Sequence, residues 1–296
     1  MIRVLYKVNK IRILPKQLVV LSKKDSRTPS KRHYRTLRRY KTLRKNSYLK
    51  TKVYFYKKRL GRTLNGQLVS FYREAGYKKK YREIENVRNP ILNQGIVESF
   101  EYNPTHSVLL ARIYNPLINY HFYIRSPLDF AVGSYIYTEC SKFLMGDCNM
   151  IKNIPSGFSV HNINLNATNN VARASGVFAS IIQKYRDVTL VRFPSKQMLY
   201  VSSLSQATCG KLFNTQHHLV NLGKAGRSRW LGFRPHVRGV AMNPIDHPHG
   251  GGQGKTSGGH STSVSPWGKP TKQIKKKKIL NAAQNKKQIK ISKKIY

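Results

Sequence analysis

Residues 226–268 read GRSRWLGFRPHVRGVAMNPIDHPHGGGQGKTSGGHSTSVSPWG. Apolar residues recur here with neither the 3.6-residue period of an amphipathic helix nor the two-residue alternation of a strand. Gly, Pro, Arg and His dominate, and Asp246 is the one acid. A segment of this kind holds a defined shape when something outside the chain supplies hydrogen-bond partners and countercharge. A polyanion with an irregular surface does both, and folded RNA is the candidate.

The surrounding chain agrees. Over 296 residues it carries 55 Lys+Arg against 11 Asp+Glu, a formal net charge of +44. Such charge repels itself in a compact state, so the working state is expected to be neutralised. Nucleic acid achieves this through phosphate contacts and counterion release, with binding that weakens steeply in salt. A membrane surface would call for basic amphipathic helices or lipid anchors, and no apolar run approaches the length of a bilayer span. A hydrophobic fraction of 40% is enough for globular cores, and the length suggests two domains.

Cys140, Cys148 and Cys209 are odd in number and fit no metal or disulfide spacing, so buried thiols in a reducing compartment are expected. The opening MIRVLYKVNKIRILPKQLVVLSKK is basic and acid-free like an organellar presequence. It is Lys-rich rather than Ser/Arg-rich, and is expected to belong to the mature protein.

Three charge regimes follow one another. In residues 1–60, SKRHYRTLRRYKTLRKNSYLKTKVYFYKKR interleaves cations with tyrosines, a composition suited to phosphate contact and base stacking. Residues 61–187 read as short strands (QLVSFYRE, KYREIENV, IVESFEYN, SVLLARIYN, YHFYIRS) separated by Asn89-Pro90, Asn103-Pro104 and Asn115-Pro116 turns. FSVHNINL, GVFASIIQKY, DVTLVRF and QMLYVSS form a second β-rich block, and FLMGDCNMIKNIP is the expected crossing between the two. Strand spacing of this kind predicts small all-β barrels rather than a βαβ sheet. Regular structure is expected to end near residue 222, and the acid-free KPTKQIKKKKILNAAQNKKQIKISKKIY reads as an interaction tail.

His247 and His249 beside Asp246 raise the question of zinc or proton transfer. No third ligand stands at a recognisable spacing, and Gly250, Gly251 and Gly252 remove side chains where a pocket would need walls. Close backbone approach to a ligand is the favoured role. Gly250 followed by Gly254, Lys255 and Thr256 is one residue short of a phosphate loop, and TSGGHSTS would break the helix such a loop requires. Trp230 and Trp267 are expected to cap a local apolar cluster in preference to stacking on bases. Arg227, Arg229, Arg234 and Arg238 suit phosphate and base edges. Pairing with carboxylates is not expected, because no acid lies near them in sequence.

RWLGFRPHVRGVAMNPIDHPHGGGQGK followed by VSPWGKPTK resembles the C-terminal signature of the universal large-subunit ribosomal protein two family. LVNLGKAGRSRW, IKNIPSGFSVHNINL, VARASGVFASII, VESFEYNP…VLLARIYNP and GRTLNGQLVSFYREAGYKKKYREIE resemble successive upstream parts, so that the likeness covers roughly residues 27–272. The family's glycine triplet is replaced here by Arg73-Glu74-Ala75-Gly76-Tyr77-Lys78. The resemblance implies an oligonucleotide-binding-type β-barrel followed by an SH3-like β-barrel, with extended basic arms. The expected limits are 1–50 for the N-terminal arm, 51–146 and 147–225 for the barrels, and 226–296 for the RNA-binding C-terminal region.

The implied function is non-catalytic: binding of large-subunit ribosomal RNA near the peptidyl transferase centre, in support of its assembly and of subunit association. Expected RNA contacts are Arg62, Lys78, Lys79, Arg173, Lys224, Arg227, Arg229, Arg234, Arg238, Asn243, His247, His249, Gly250, Gly251, Gly252, Lys255, Trp267 and Lys272. Other ribosomal proteins are expected partners, with contact to the small subunit, and neither a membrane nor a small-molecule substrate. No cofactor is expected beyond magnesium held by the RNA. Abundant Lys, Asn, Ile and Tyr use AT-rich codons. With a bacterial-type motif, this points to a mitochondrial ribosome, with a chloroplast or bacterial one as the alternative.

Overall fold

A computed structural model describes residues 21–23, 27–37, 48–89, 94–139, 143–166, 169–254 and 256–271. Most of the N-terminal arm, Cys140, Lys255, Lys272 and the Lys-rich end lie outside them. The described residues are almost all β and divide into two compact units, residues 1–58 with 77–227 and residues 59–76 with 228–296. Residues 59–76 thus fall inside the expected 51–146 segment yet cluster with the C-terminal region.

The larger unit begins with β1 (Leu21–Lys23) and β2 (Arg35–Leu37), which pair on either side of helix α1 (Pro29–His33). A ribbon of β3 (Val53–Phe55) and β4 (Lys80–Arg82) follows. The first barrel is built on β5 (Gln94–Glu101), β6 (Leu110–Asn115), β7 (Tyr120–Arg125) and β8 (Tyr135–Tyr137), antiparallel in the order β7-β6-β5-β8. At the β6–β7 turn the Asn115 side chain accepts the Leu117 N–H at 2.9 Å, the Asx geometry that Asn-Pro signals favour.

A bulge at Glu98 sets the phase of β5. Val97 pairs with Ile113, Ser99 with Arg112 and Phe100 with Ala111. One extra residue shifts the alternation, so that Val97 and Phe100, three apart, both enter the core. There they meet Leu109, Ile113, Phe122, Ile124, Phe130 and Ile136. Glu98 is left at the surface of the sheet, 2.7 Å from the Arg112 guanidinium.

The second barrel comprises β9 (Cys148–Met150), β10 (Ser159–His161), β11 (Ile163–Asn166), β12 (Asn169–Val171), β13 (Ala179–Lys184), β14 (Val188–Arg192), β15 (Met198–Ser202) and β16 (Gln206–Cys209). Six of these form one sheet in the order β15-β14-β13-β10-β16-β9, with β11 and β12 as a separate hairpin. Its core joins Ile151, Ile154, Val160, Ile163, Ile181, Val191, Val201 and Cys209. Cys148 and Cys209 are buried free thiols, and burial pushes Cys209 up to about 12. The oligonucleotide-binding-type barrel is therefore followed by the SH3-like barrel, in the expected order.

Polar residues lock the two barrels together. Phe213, beyond β16, completes the first core. Arg88 donates to the Gly146 carbonyl at 2.7 Å, while Gln206 exchanges hydrogen bonds with the Arg88 backbone. At the end of β7, Arg125 donates to the side-chain oxygens of Asn86 (2.6 Å) and Asn162 (3.0 Å). Burial, with Arg173 nearby, lowers this guanidinium to about 10. His161 is sealed inside, and burial depresses it to about 4. Its Nδ1 lies 2.9 Å from the Gly210 carbonyl, so the neutral ring donates there.

Three expectations change. QLVSFYRE forms no regular strand; Leu68 and Arg73 make isolated bridges only, to Arg62 and Phe233. FLMGDCNMIKNIP contains β9, because Cys148–Met150 pair with β16 and belong to the second sheet. Beyond residue 222 a helix, α2 (Ala225–Leu231), forms with no buried residue, which is why hydrophobic periodicity does not reveal it.

Candidate nucleic-acid interface

Among its described residues, the unit of residues 59–76 and 228–271 is folded without an apolar core. Each hydrophobic cluster among the described residues lies in the other unit. Gly232 and His247 are the only buried positions among the described residues of this one. Backbone hydrogen bonds, tight turns and stacked rings hold it.

Two stretches far apart in sequence are stitched together. The Glu74 N–H donates to the Gly232 carbonyl and the Arg234 N–H to the Tyr72 carbonyl, each at 2.9 Å. Gly76, at φ +54°, is the residue that permits this closure: a Cβ there would lie 2.5 Å from both the Gly232 nitrogen and the Trp230 carbonyl oxygen. The glycine retained in the 73–78 loop therefore serves contact within the protein. Arg73 lies 4.8 Å from the Phe233 ring centroid and 5.3 Å from that of Tyr72. Phe71 stacks on Trp267 at 5.8 Å. Trp267 sits at the tip of a small turn closed by Ser265 N–H to Lys269 O and Thr271 N–H to Ser263 O, both 2.8 Å.

The arginines differ from the sequence expectation. Arg229 lies 3.3 Å from Glu74 and Arg234 3.9 Å from the same carboxylate. An acid remote in the chain is thus close in space, and the expectation of no carboxylate pairing is corrected. In the larger unit, the Arg227 guanidinium covers the Tyr34 ring at 3.6 Å and donates to the Leu222 carbonyl. Arg62 donates to the Gly66 carbonyl at 2.8 Å and braces its own turn. Arg238 is exposed, with no side-chain partner among the described residues. Lys78, Arg173 and Lys224 are exposed and Lys79 half-buried, all in the larger unit.

The His/Gly tract is a self-supporting turn. The Asn243 carbonyl accepts the N–H groups of Asp246 (3.0 Å) and His247 (3.2 Å), and the His247 carbonyl accepts that of Gly250 (2.8 Å). His247 packs so closely against Gly239 that a Cβ there would sit 2.5 Å from its ring. Its Nδ1 accepts the His249 N–H at 3.0 Å, and the two rings stack at 5.1 Å. His249 receives the Val264 N–H on Nε2 at 2.9 Å and faces the Gly258 carbonyl with Nδ1 at 2.7 Å, which defines a neutral Nδ1–H tautomer.

Substituted glycines would collide inside the protein. A Cβ on Gly250 would run into the Asn243 carbonyl, and one on Gly251, at φ +90°, would lie 2.7 Å from Pro244 Cγ. The glycines therefore build the turn itself, a role that composition did not distinguish from close approach to a ligand. Among the described residues, no group of three His, Cys, Asp or Glu could hold a metal ion. No helix among them is long and apolar enough to cross a membrane.

Sequence reading missed Phe71, Tyr72, Arg73 and Phe233, the rings and guanidinium that join the two halves. For Phe71, Tyr72 and Arg73 the only signal was density of aromatics in a stretch read as a strand, and Phe233 lay in the 226–268 segment without periodicity.

Comparison with known proteins matches this architecture. Residues 49–138 match Ribosomal Proteins L2, RNA binding N-terminal domain, and residues 144–268 match Ribosomal Proteins L2, C-terminal domain. The chain is 44% identical over 232 residues to "Large ribosomal subunit protein uL2" of Wolbachia pipientis subsp. Culex pipiens (strain wPip), covering 77% of this chain and 84% of that one. It is 41% identical over 225 residues to the protein of the same name from Rickettsia felis, covering 74% and 80%. A chain with these two barrels in this order, and with the Arg/Gly/His unit described above, belongs to the ribosomal protein L2 family.

Proposed function

We infer that this chain is a non-catalytic structural component of a large ribosomal subunit. It binds large-subunit ribosomal RNA near the peptidyl transferase centre, supporting its assembly and subunit association. The observation that carries the reading is the coreless unit of residues 59–76 and 228–271. Its turn geometry is defined, yet it has almost nothing buried of its own, in a chain of net charge +44. Phosphates supply the countercharge, and base and sugar edges supply the missing packing.

Arg238, Lys78, Arg173 and Lys224 are the exposed cations for this contact, joined by Lys255, Lys272 and, from their shared carboxylate, Arg229 and Arg234. With the barrels taken to divide near residues 146–147, Lys78, Arg173, Lys224, Arg234 and Arg238 lie outside every strand and helix, and Arg229 lies in α2. His247 takes a structural role: its ring is buried and its Nδ1 already accepts a backbone N–H. Other ribosomal proteins and the facing small subunit are the protein partners, and magnesium is held by the RNA. Abundant Lys, Asn, Ile and Tyr, with 18 tyrosines, together with bacterial-type relatives, support a mitochondrial ribosome.

Tagged chain expressed in its own cells and sedimented through a gradient tests the reading. Migration with large-subunit RNA, at a salt where duplex DNA is released, is the expected result. Equal retention of any RNA, DNA or anionic vesicle would replace it with general polyanion binding. Recovery in a mitochondrial rather than a plastid or cytosolic fraction tests the location.

A further inference from the structure

We propose that the β3–β4 ribbon is a stacking platform for unpaired RNA bases, with Phe55 as the ring that receives the base. The proposal rests on the ribosomal RNA reading above and names the RNA feature this ribbon selects.

Among the described residues β3 and β4 pair only with each other. A two-stranded ribbon is marginal in water by itself, and this one displays rings on both faces. Directly opposed residues share a face. Tyr54 stands opposite Tyr81, and Tyr56 stacks on Tyr81 at 6.3 Å. On the other face Phe55 stands opposite Lys80. Three consecutive aromatics are open to solvent, Phe55 most of all at 73%.

The cation beside Phe55 is held in place. Lys80 Nζ donates to the Tyr48 hydroxyl at 2.6 Å and lies 4.6 Å from the centre of that ring. Residues 48–58 and 77–83 together contain eight Lys or Arg and one acid, Glu83, which lies 3.3 Å from Lys52 and accepts from the Tyr54 hydroxyl. That charge selects a polyanion over an ordinary protein surface. A paired helix hides its base faces within its own stack, whereas a bulged or single-stranded base offers a π-face. Rings flanked by fixed cations match the second.

The test uses the full chain and two RNA hairpins, one with a bulged 2-aminopurine and one with that base paired. Wild-type protein should quench the bulged fluorophore. Phe55→Leu should weaken binding to the bulged hairpin about tenfold, within the range for one lost stack. The salt slope and binding to the paired hairpin should be unchanged, and Phe55→Trp should restore the quench. Wild-type behaviour of Phe55→Leu would overturn the proposal, as would equal weakening on both hairpins. Protection of Phe55 by polyglutamate but not by the bulged hairpin would also overturn it, in favour of an acidic protein partner. Failure of the wild-type chain to bind either hairpin at low salt would instead remove the ribosomal RNA reading on which it stands.

Discussion

Glu74 lies 3.3 Å from the guanidinium of Arg229, 155 positions further along the chain, and 3.9 Å from that of Arg234. One carboxylate therefore serves two arginines of a segment otherwise short of acids. The arginine side chains are 42% and 56% exposed, so solvent screening leaves each pair worth about 0–1 kcal/mol. The consequence is positional: the guanidiniums are held near a turn that presents them.

Glu74→Gln should accordingly change stability by less than about 1 kcal/mol in urea unfolding. RNA affinity at low salt should rise, because a carboxylate that repels phosphate has gone. A fall in affinity would mean that holding the guanidiniums outweighs this repulsion.

Arg238→Ala and Arg227→Ala should separate in kind. Loss of the exposed Arg238 should flatten the log-affinity against log-salt slope by about one. Arg227 covers the Tyr34 ring at 3.6 Å, so its loss should lower the thermal midpoint with a smaller change in slope. Equal slopes for both variants would contradict the assignment.

Gly251→Val should disturb its turn before any RNA arrives. The residue sits at φ +90° with Pro244 Cγ 2.7 Å from a Cβ, and strain of this kind costs about 1–3 kcal/mol. Faster amide exchange across residues 242–254 in the RNA-free protein is the expected sign. Exchange as in wild type, with lost RNA binding, would return the glycine to direct ligand contact.

Tyr123→Phe should destabilise the first barrel. The buried hydroxyl lies 2.9 and 3.0 Å from the Glu101 carboxylate oxygens and accepts the Leu49 N–H at 2.8 Å. Its removal strands both partners at a cost of about 1–3 kcal/mol, read from denaturant midpoints.

His161 should make folding acid-sensitive. Its buried ring stays neutral down to about pH 4, against an ordinary value of 6.5. Between these values the unfolded state binds more protons, so stability should fall by about 3 kcal/mol as pH drops from 6.5 to 4. Burial raises the carboxyls of Glu101 and Asp147, which opposes this trend because the folded state then takes their protons first. Subtracting the unfolding curve of His161→Gln isolates the histidine, and a flat difference across that window would refute its part.

Legibility varied with the range of the interactions. IVESFEYN, SVLLARIYN and YHFYIRS were readable as strands because β5, β6 and β7 lie on a core and carry its pattern locally. The bulge at Glu98 was not readable, since an extra residue makes sense only against its partner strand. QLVSFYRE resembled a strand by composition, but its bridges run to Arg62 and to Phe233, and the second of these depends on closure across the chain. Helix α2 buries nothing and so leaves no periodic trace.

Sequence by itself determined the all-β class through short-range alternation and the polyanionic partner through charge balance, while a dense motif carried the family and, by resemblance, the order of the barrels; all of these are properties of neighbouring residues. Tertiary structure alone decided that Glu74 meets Arg229, that Gly76 and Gly250 serve packing within the protein, and that His247 is a buried support. Those outcomes depend on which distant backbone segments touch, and steric exclusion and hydrogen bonding act only once they do.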